Sequence, residues 1–238
     1  MTETDIRSQT AAVIPAYQDE KHIGDVARRT RERLYHVLVV DDGSTDQTAE
    51  RARKAGAEVV VHPENRGKGE AIKTGLAHWF AEPSQSTDGL SRKIKWAVLL
   101  DSDGQHLPEE IDRFMAAAAS ATRPSFFVGN RMNAVTEMPF IRRVVNRYMS
   151  KEISRVCGQQ IPDTQCGFRM VDRQLAPRLR GGGHRYDYET EALIIASRAG
   201  YQIESVPITT VYTDQVSKIH PVRDAIRFFK LMRRYRKL

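Results

Sequence analysis

Trp96-Ala97-Val98-Leu99-Leu100-Asp101-Ser102-Asp103 is the stretch on which the fold of this chain turns. Five consecutive apolar residues predict a strand buried on both faces, and two carboxylates one residue apart stand where it stops. In an extended backbone alternate side chains share a face, so both carboxylates can meet one hard cation such as Mg²⁺ or Mn²⁺. An isolated Asp-X-Asp is more often a solvated turn, so its neighbours decide. A second acidic pair, Asp41-Asp42, follows another apolar run, Val37-Leu38-Val39-Val40. Open α/β sheets bind ligands outside the carboxyl ends of their strands, and two such endings point to one crevice.

Outward from these runs the pattern alternates. Strands are predicted over Ala11–Pro15, Val37–Val40, Glu58–His62, Trp96–Leu100 and Phe126–Val128. Between them, helices are predicted over Glu20–Leu34, Thr45–Ala55 with Ser44 or Thr45 as cap, Glu70–Phe80, and Pro108–Ala119 with proline in its first turn. Repeated βαβ units imply a mainly parallel central sheet flanked by helices. The second half is less regular: helices over Phe140–Cys157 and Asp187–Ala199, short strands over Ile203–Val206 and Thr209–Tyr212, and a last helix over Pro221–Tyr235. Residues 82–93 read as a surface loop.

The 238 residues, 40% hydrophobic and 28% charged, suit one large α/β domain. The expected division is a polar N-terminal tail over 1–10, the domain over 11–220 and a C-terminal helix over 221–238. A net charge of +7 favours anionic partners, whether nucleotide diphosphate, anionic lipid or nucleic acid. No recognised nucleic-acid motif accompanies that charge, so no nucleic-acid partner is expected. Cys157 and Cys166 lack metal-ligand spacing and read as buried thiols, which favours an intracellular setting. Neither a transmembrane segment nor a signal peptide is evident.

The last helix is amphipathic: Val222, Ile226, Phe229 and Met232 share a face, and Arg223, Arg227, Lys230, Arg234 and Lys237 form a basic stripe. Such a helix either lies on an anionic membrane surface or packs on its own domain with a solvated charged face.

Several chemistries are disfavoured. The position after the first strand holds Pro15-Ala16-Tyr17-Gln18-Asp19-Glu20, not the glycine fingerprint of a dinucleotide site. Asn65-Arg66-Gly67-Lys68-Gly69 opens a helix with two cations and suits a phosphate through Lys68, yet lacks P-loop spacing. His106 has no second histidine at zinc spacing.

Taken in order, Val13-Ile14-Pro15-Ala16-Tyr17, Val39-Val40-Asp41-Asp42-Gly43-Ser44-Thr45-Asp46, Asn65-Arg66-Gly67-Lys68-Gly69, Asp101-Ser102-Asp103-Gly104-Gln105-His106 and Gly167-Phe168-Arg169 resemble the family 2 glycosyltransferases of the GT-A fold, and most of all their polyprenyl-phosphate sugar synthases. The resemblance spans roughly residues 11–218. It implies an inverting transfer from a GDP- or UDP-linked sugar to an acceptor, with polyprenyl phosphate leading. It implies that Asp41 contacts the base, that Pro15, Tyr17 and Glu20 line the nucleoside pocket, and that Asp42 belongs to the same donor-binding set. It gives Asp101 and Asp103 the donor metal, with Gln105 as a further ligand, and places Arg131, Arg169 and Lys218 as cations around donor and acceptor phosphates. Gln18-Asp19 departs from the family's usual Asn-Glu.

A hydroxyl acceptor would need a carboxylate base, for which Asp163, Glu189 and Glu191 are candidates, whereas a polyprenyl phosphate arrives ionised. The rival readings are transfer to a sugar, glycan or protein hydroxyl, a nucleotidyltransferase, and a non-catalytic nucleotide-sugar sensor or membrane scaffold. The expected location is cytoplasmic, extending to the cytoplasmic membrane face.

Overall fold

A computed structural model describes residues 3–80, 93–132, 140–179, 187–209, 211 and 221–236. Seven strands form one sheet: β1 (Thr10–Ala16), β2 (His36–Asp41), β3 (Glu58–Val61), β4 (Trp96–Leu99), β5 (Ser125–Asn130), β6 (Arg169–Asp172) and β7 (Gln202–Pro207), in the order β3-β2-β1-β4-β6-β5-β7. Every residue of β1 is buried, as are Val37 to Asp41 of β2 and Ala97 to Leu99 of β4. That is the burial which continuous apolar runs demand when helices cover both faces. Pairing is parallel except where β6 runs against β4 and β5.

The chain winds outward from β1 through β2 to β3, then returns to the other side of β1 as β4. The crevice beyond the carboxyl ends of β1 and β4 is therefore the switch point at which such sheets take ligands. Ala16 pairs with Asp41 and Val13 with Leu99, so the loops after β1, β2 and β4 emerge together.

The covering helices are α1 (Glu3–Ser8), α2 (Ile23–Arg33), α3 (Thr48–Lys54), α4 (Lys68–Trp79), α5 (Ile111–Ser120), α6 (Phe140–Cys157), α7 (Ala176–Leu179), α8 (Asp187–Arg198) and α9 (Pro221–Arg236), with a 3₁₀ turn at Pro108–Glu110 leading into α5. The stretch expected to be a tail contains α1. Its Ile6 is buried, Thr10 Oγ1 donates to the Ile6 carbonyl at 2.7 Å, and Arg7 pairs with Asp112 at 3.2 Å. The basic amphipathic segment at the other end is helical too, with Phe228, Leu231 and Met232 buried. Cys157 and Cys166 are buried and free. Among the described residues no helix is long and apolar enough to cross a membrane.

Two expectations fail locally. α3 starts at Thr48, not Thr45, because the hydroxyls that would have capped it bond the loop after β1 instead. Thr209 and Val211 lie outside any strand; the Val211 N–H donates to the Gln105 carbonyl at 3.0 Å and the Thr209 N–H to the Glu110 carboxylate at 2.9 Å.

Candidate active site

The loop after β1 is built against the loop after β2. Gln18 adopts a left-handed backbone (φ 51°), donating from its N–H to Ser44 Oγ at 2.9 Å and from its side-chain amide to Thr45 Oγ1 at 2.8 Å. The Asp19 N–H reaches Thr48 Oγ1 at 2.8 Å, the Glu20 N–H reaches Asp46 at 3.2 Å, and the Glu20 carboxylate accepts from the Gln47 N–H at 3.1 Å. These bonds fix two otherwise polar loops in one shape, reducing the ordering that a ligand would have to impose. Within that frame Tyr17 is 40% exposed, Glu20 is partly exposed, and Pro15 and Asp41 are buried beneath them. Asp41 accepts from the Ser44 N–H at 2.9 Å.

Asp42, expected beside the nucleotide, turns inward instead. It is 2% exposed; one oxygen faces His62 Nδ1 at 2.7 Å and the Arg66 N–H at 3.0 Å, and the other takes the Gly67 N–H at 2.7 Å. A carboxylate facing the amides that precede α4 stabilises that helix start by charge and hydrogen bond together. Asp42 thus shapes the Asn65–Gly69 loop and aims Lys68. Gly43 (φ 76°) is required here, since a Cβ on it would lie 2.5 Å from the Glu64 backbone carbon.

Lys68 opens α4, and its Nζ lies 2.6 Å from both Asp101 Oδ1 and Glu189 Oε1. Three segments far apart in sequence therefore converge on one ammonium. Burial alone would raise Asp101, but the Lys68 charge overrides it and holds the carboxyl well below the usual range. Lys68 is likewise disfavoured as a cation by burial, yet its two acidic partners keep it protonated beyond its ordinary range.

Asp103 sits in a turn and accepts the Gln105 N–H at 3.0 Å. Burial and then repulsion from Asp101 push it up to about 6. The turn between the two aspartates is tied to the first loop: Ser102 Oγ donates to Asp19 Oδ2 at 2.7 Å, while Asp19 Oδ1 meets His22 Nδ1 at 2.7 Å. The sequence departure at Asp19 thus falls on a residue that joins two site loops. Gly167 presses on the cluster from below, where an added Cβ would stand 2.6 Å from Asp101 Oδ2.

His106 is buried behind the acids against Phe168, with its rings 5.4 Å apart, and burial lowers its pKa to about 4, so it stays neutral. Its Nδ1 has no hydrogen-bond partner among the described residues. Arg131 grips the buried Asp163 as a two-pronged fork at 2.7 and 2.9 Å, and its N–H adds a third bond at 3.1 Å. Its charge still acts on Asp101, which places it at the edge of the acidic cluster.

Arg169 is corrected by the geometry. It is 2% exposed and donates to the carbonyls of Cys166, Glu189 and Thr164 at 2.8, 2.6 and 3.0 Å, so its guanidinium braces the chain beneath Glu189 and is not presented at the surface. Lys218 lies outside the described residues. Of the three candidate bases, Asp163 belongs to Arg131, and Glu191 is buried against Tyr235 at 3.1 Å and Arg234 at 3.8 Å. Glu189 faces the cluster. Its contact with Lys68, 121 residues away, has no local sequence signal.

The donor set suits a hard cation shared with a diphosphate. The site already holds an ammonium between two carboxylates, and Mg²⁺ characteristically takes only one or two protein carboxylates alongside substrate phosphates. Among the described residues no three His, Cys, Asp or Glu side chains converge into a cage made by protein alone. Gln105 is held through its backbone, its N–H on Asp103 and its carbonyl on Val211.

The mainly parallel seven-stranded sheet with one reversed strand is a GT-A-like fold, and the acidic cluster stands at its switch point. The chain belongs to glycosyl transferase family 2, whose pattern matches residues 11–180. It is 30% identical over 227 residues to the UDP-N-acetylglucosamine–dolichyl-phosphate N-acetylglucosaminyltransferase of Methanococcus voltae, covering 85% of each chain. It is 27% identical to the dolichyl-phosphate β-glucosyltransferase of Saccharomyces cerevisiae, covering 92% of this chain and 72% of that protein. Among solved structures it is similar to glucosyl-3-phosphoglycerate synthase from Mycobacterium tuberculosis. The complex with phosphoglyceric acid superposes with a TM-score of 0.72 at 19% identity, over 99% of this chain and 84% of the other. The complex with Mn²⁺, UDP and glucosyl-3-phosphoglycerate gives 0.66 at 20% identity, over 98% and 81%. The protein is therefore a nucleotide-sugar-using transferase related to the polyprenyl-phosphate sugar synthases.

Proposed function

We propose that this chain transfers one sugar from a UDP-linked donor to a polyprenyl phosphate, with inversion at the anomeric carbon. The observation that carries the reading is the Lys68–Asp101–Glu189 cluster beside Asp103, a charged site outside the carboxyl ends of the strands, where open α/β sheets take ligands. UDP is preferred to GDP because the Methanococcus relative is named for a UDP-sugar. The lipid acceptor is supported by the names of both relatives and by the commitment of Asp163 and Glu191 to structural pairs.

In this reading Tyr17, Glu20 and the buried Asp41 hold the nucleoside, while Asp101 and Asp103 hold Mg²⁺ or Mn²⁺ against the diphosphate. The metal, when bound, neutralises charge that develops on the departing diphosphate. Lys68 moves its charge from Asp101 toward the donor phosphates, and Arg131, fixed by Asp163, supplies a stationary positive charge. The ionised acceptor oxygen forms its bond to the anomeric carbon as the bond to the diphosphate breaks and UDP leaves. No proton has to be removed from a phosphate already ionised at neutral pH, so a strong base is unnecessary. Glu189 supports the second reading, in which it deprotonates a hydroxyl acceptor.

The test is a panel of labelled UDP-GlcNAc, UDP-glucose and GDP-mannose, with and without polyprenyl phosphate, in Mn²⁺, Mg²⁺ or chelator. The expected result is one UDP-sugar passing into the lipid extract only when metal is present, in a product of inverted anomeric configuration by NMR. Transfer to hydroxyl acceptors alone would favour the second reading, and binding without turnover of any donor would contradict both.

A further inference from the structure

The residue between the two aspartates goes to a different partner from either of them. Ser102 is buried, and its hydroxyl leaves the acidic turn to donate to Asp19 Oδ2 at 2.7 Å, while Asp101 meets Lys68 and Asp103 takes the Gln105 N–H. The alternation that lets two acids share one cation sends the side chain between them elsewhere, here to the loop after β1.

Asp19 is engaged at every polar atom. Its other carboxylate oxygen meets His22 Nδ1 at 2.7 Å, its carbonyl accepts the Ile23 N–H at 3.1 Å where α2 begins, and its own N–H donates to Thr48 Oγ1 at 2.8 Å on α3. Gly104, in the same acidic turn, rests on that helix start as well: an added Cβ would stand 3.9 Å from Val26 Cγ2 and 4.0 Å from His22 Cβ. Tyr17 and Glu20 lie within two positions of Asp19, one on each side. One hydrogen bond to a carboxylate therefore joins backbone that would order around a nucleoside to backbone that would order around a metal.

A hydrogen bond to an ionised group is roughly twice as strong as a neutral one, so the two loops are held firmly to each other. When one ligand orders its loop, the other has less left to order and binds more tightly. Such a coupling is reciprocal: each ligand tightens the other by the same factor. We propose, on the donor-site reading above, that Ser102 is a positioning residue which, through Asp19, makes occupancy of the nucleoside pocket and occupancy of the metal site favour each other. The serine itself makes and breaks no bond to the sugar.

The test divides the donor into two halves with no covalent link, uridine for the pocket and Mn²⁺ with inorganic phosphate for the acids. Free Mn²⁺ is read by its electron paramagnetic resonance signal and uridine by calorimetry. In wild type, saturating uridine should tighten Mn²⁺ about fivefold or more, and Mn²⁺ should tighten uridine by the same factor. In Ser102→Ala each half should still bind, with the mutual factor falling below about twofold, and Ser102→Thr, which keeps the hydroxyl, should restore it. Direct contact between the halves is the same in all three chains, so the difference reads the hydrogen bond. A serine that only stabilised the turn would, on removal, lower the melting temperature and both affinities while leaving the mutual factor intact; that result would overturn the inference. A wild type that binds UDP with Mn²⁺, yet whose Mn²⁺ affinity ignores uridine, would overturn it too and leave the donor site standing. Failure of wild type to bind UDP with Mn²⁺ at all would remove the donor-site reading and the coupling together.

Discussion

Asp103→Asn is expected to abolish metal-dependent transfer, by a factor of about 10² or more, while making the ligand-free chain more stable. The asparagine carbonyl can still accept the Gln105 N–H, so the turn is retained. What disappears is a carboxylate whose ionisation is opposed by burial and by Asp101, which together raise it to about 6 in the folded chain. An acid raised on folding binds its proton more tightly when folded, so its ionisation costs stability as pH climbs from its unfolded value near 4 through about 6. Removing it should therefore add on the order of 1–3 kcal/mol at pH 7 and nothing below about pH 4. Thermal melts in chelator at the two pH values read this directly. Mn²⁺ with UDP should raise the melting temperature of wild type and leave the variant where it was. A variant less stable than wild type at pH 7, or fully active, would contradict the placement of Asp103.

Lys68→Met has the opposite sign. It leaves Asp101 and Glu189 facing each other without their shared ammonium, and breaking a buried ion pair from one side typically costs about 3–5 kcal/mol. The Lys68 side chain retains 23% exposure, so about 2–4 kcal/mol is expected here. The pH dependence identifies the cause. In wild type Asp101 is held low, so its stabilising pair persists above the ordinary carboxylate range and is lost only as pH falls toward about 2. In the variant only the lesser pull of the Arg131 charge opposes burial, Asp101 rises, and the deficit is largest at neutral pH and shrinks on acidification. Mn²⁺ should restore part of the lost stability by occupying the charge-deficient site. Chemical denaturation at pH 7 and pH 5, with and without Mn²⁺, measures all of this; an unchanged midpoint would mean that the three groups are not coupled.

The parallel sheet was legible because its strands are continuous apolar runs, and such runs survive only where both faces are covered. Asp101 and Asp103 were legible for the same reason, standing where a buried strand must end. What the sequence hid was the direction in which polar groups point. Ser44 and Thr45 read as helix caps, yet their hydroxyls hold Gln18 of another loop, and Thr48 Oγ1 takes the Asp19 N–H of the same loop. Asp42 is chemically like its neighbour Asp41, but a loop 24 residues on supplies the amides that draw it inward. Arg169 reads as a phosphate ligand because guanidinium forks bind phosphate; three carbonyls from Cys166, Thr164 and Glu189 claim it instead. β6 escaped notice because its four residues begin with that arginine and run against their neighbours. Glu189 became a site residue only through Lys68, a pairing made by the fold and not by spacing.

The central claim is that a divalent ion joins Asp101 and Asp103 to the diphosphate of the donor. Crystals grown with Mn²⁺ and UDP, measured at the manganese absorption edge, test it most directly. The account predicts one anomalous peak within bonding distance of both the diphosphate and an Asp101 or Asp103 oxygen, with Lys68 shifted off Asp101. UDP seated in the crevice with no such peak, and Lys68 still bridging Asp101 and Glu189, would contradict it.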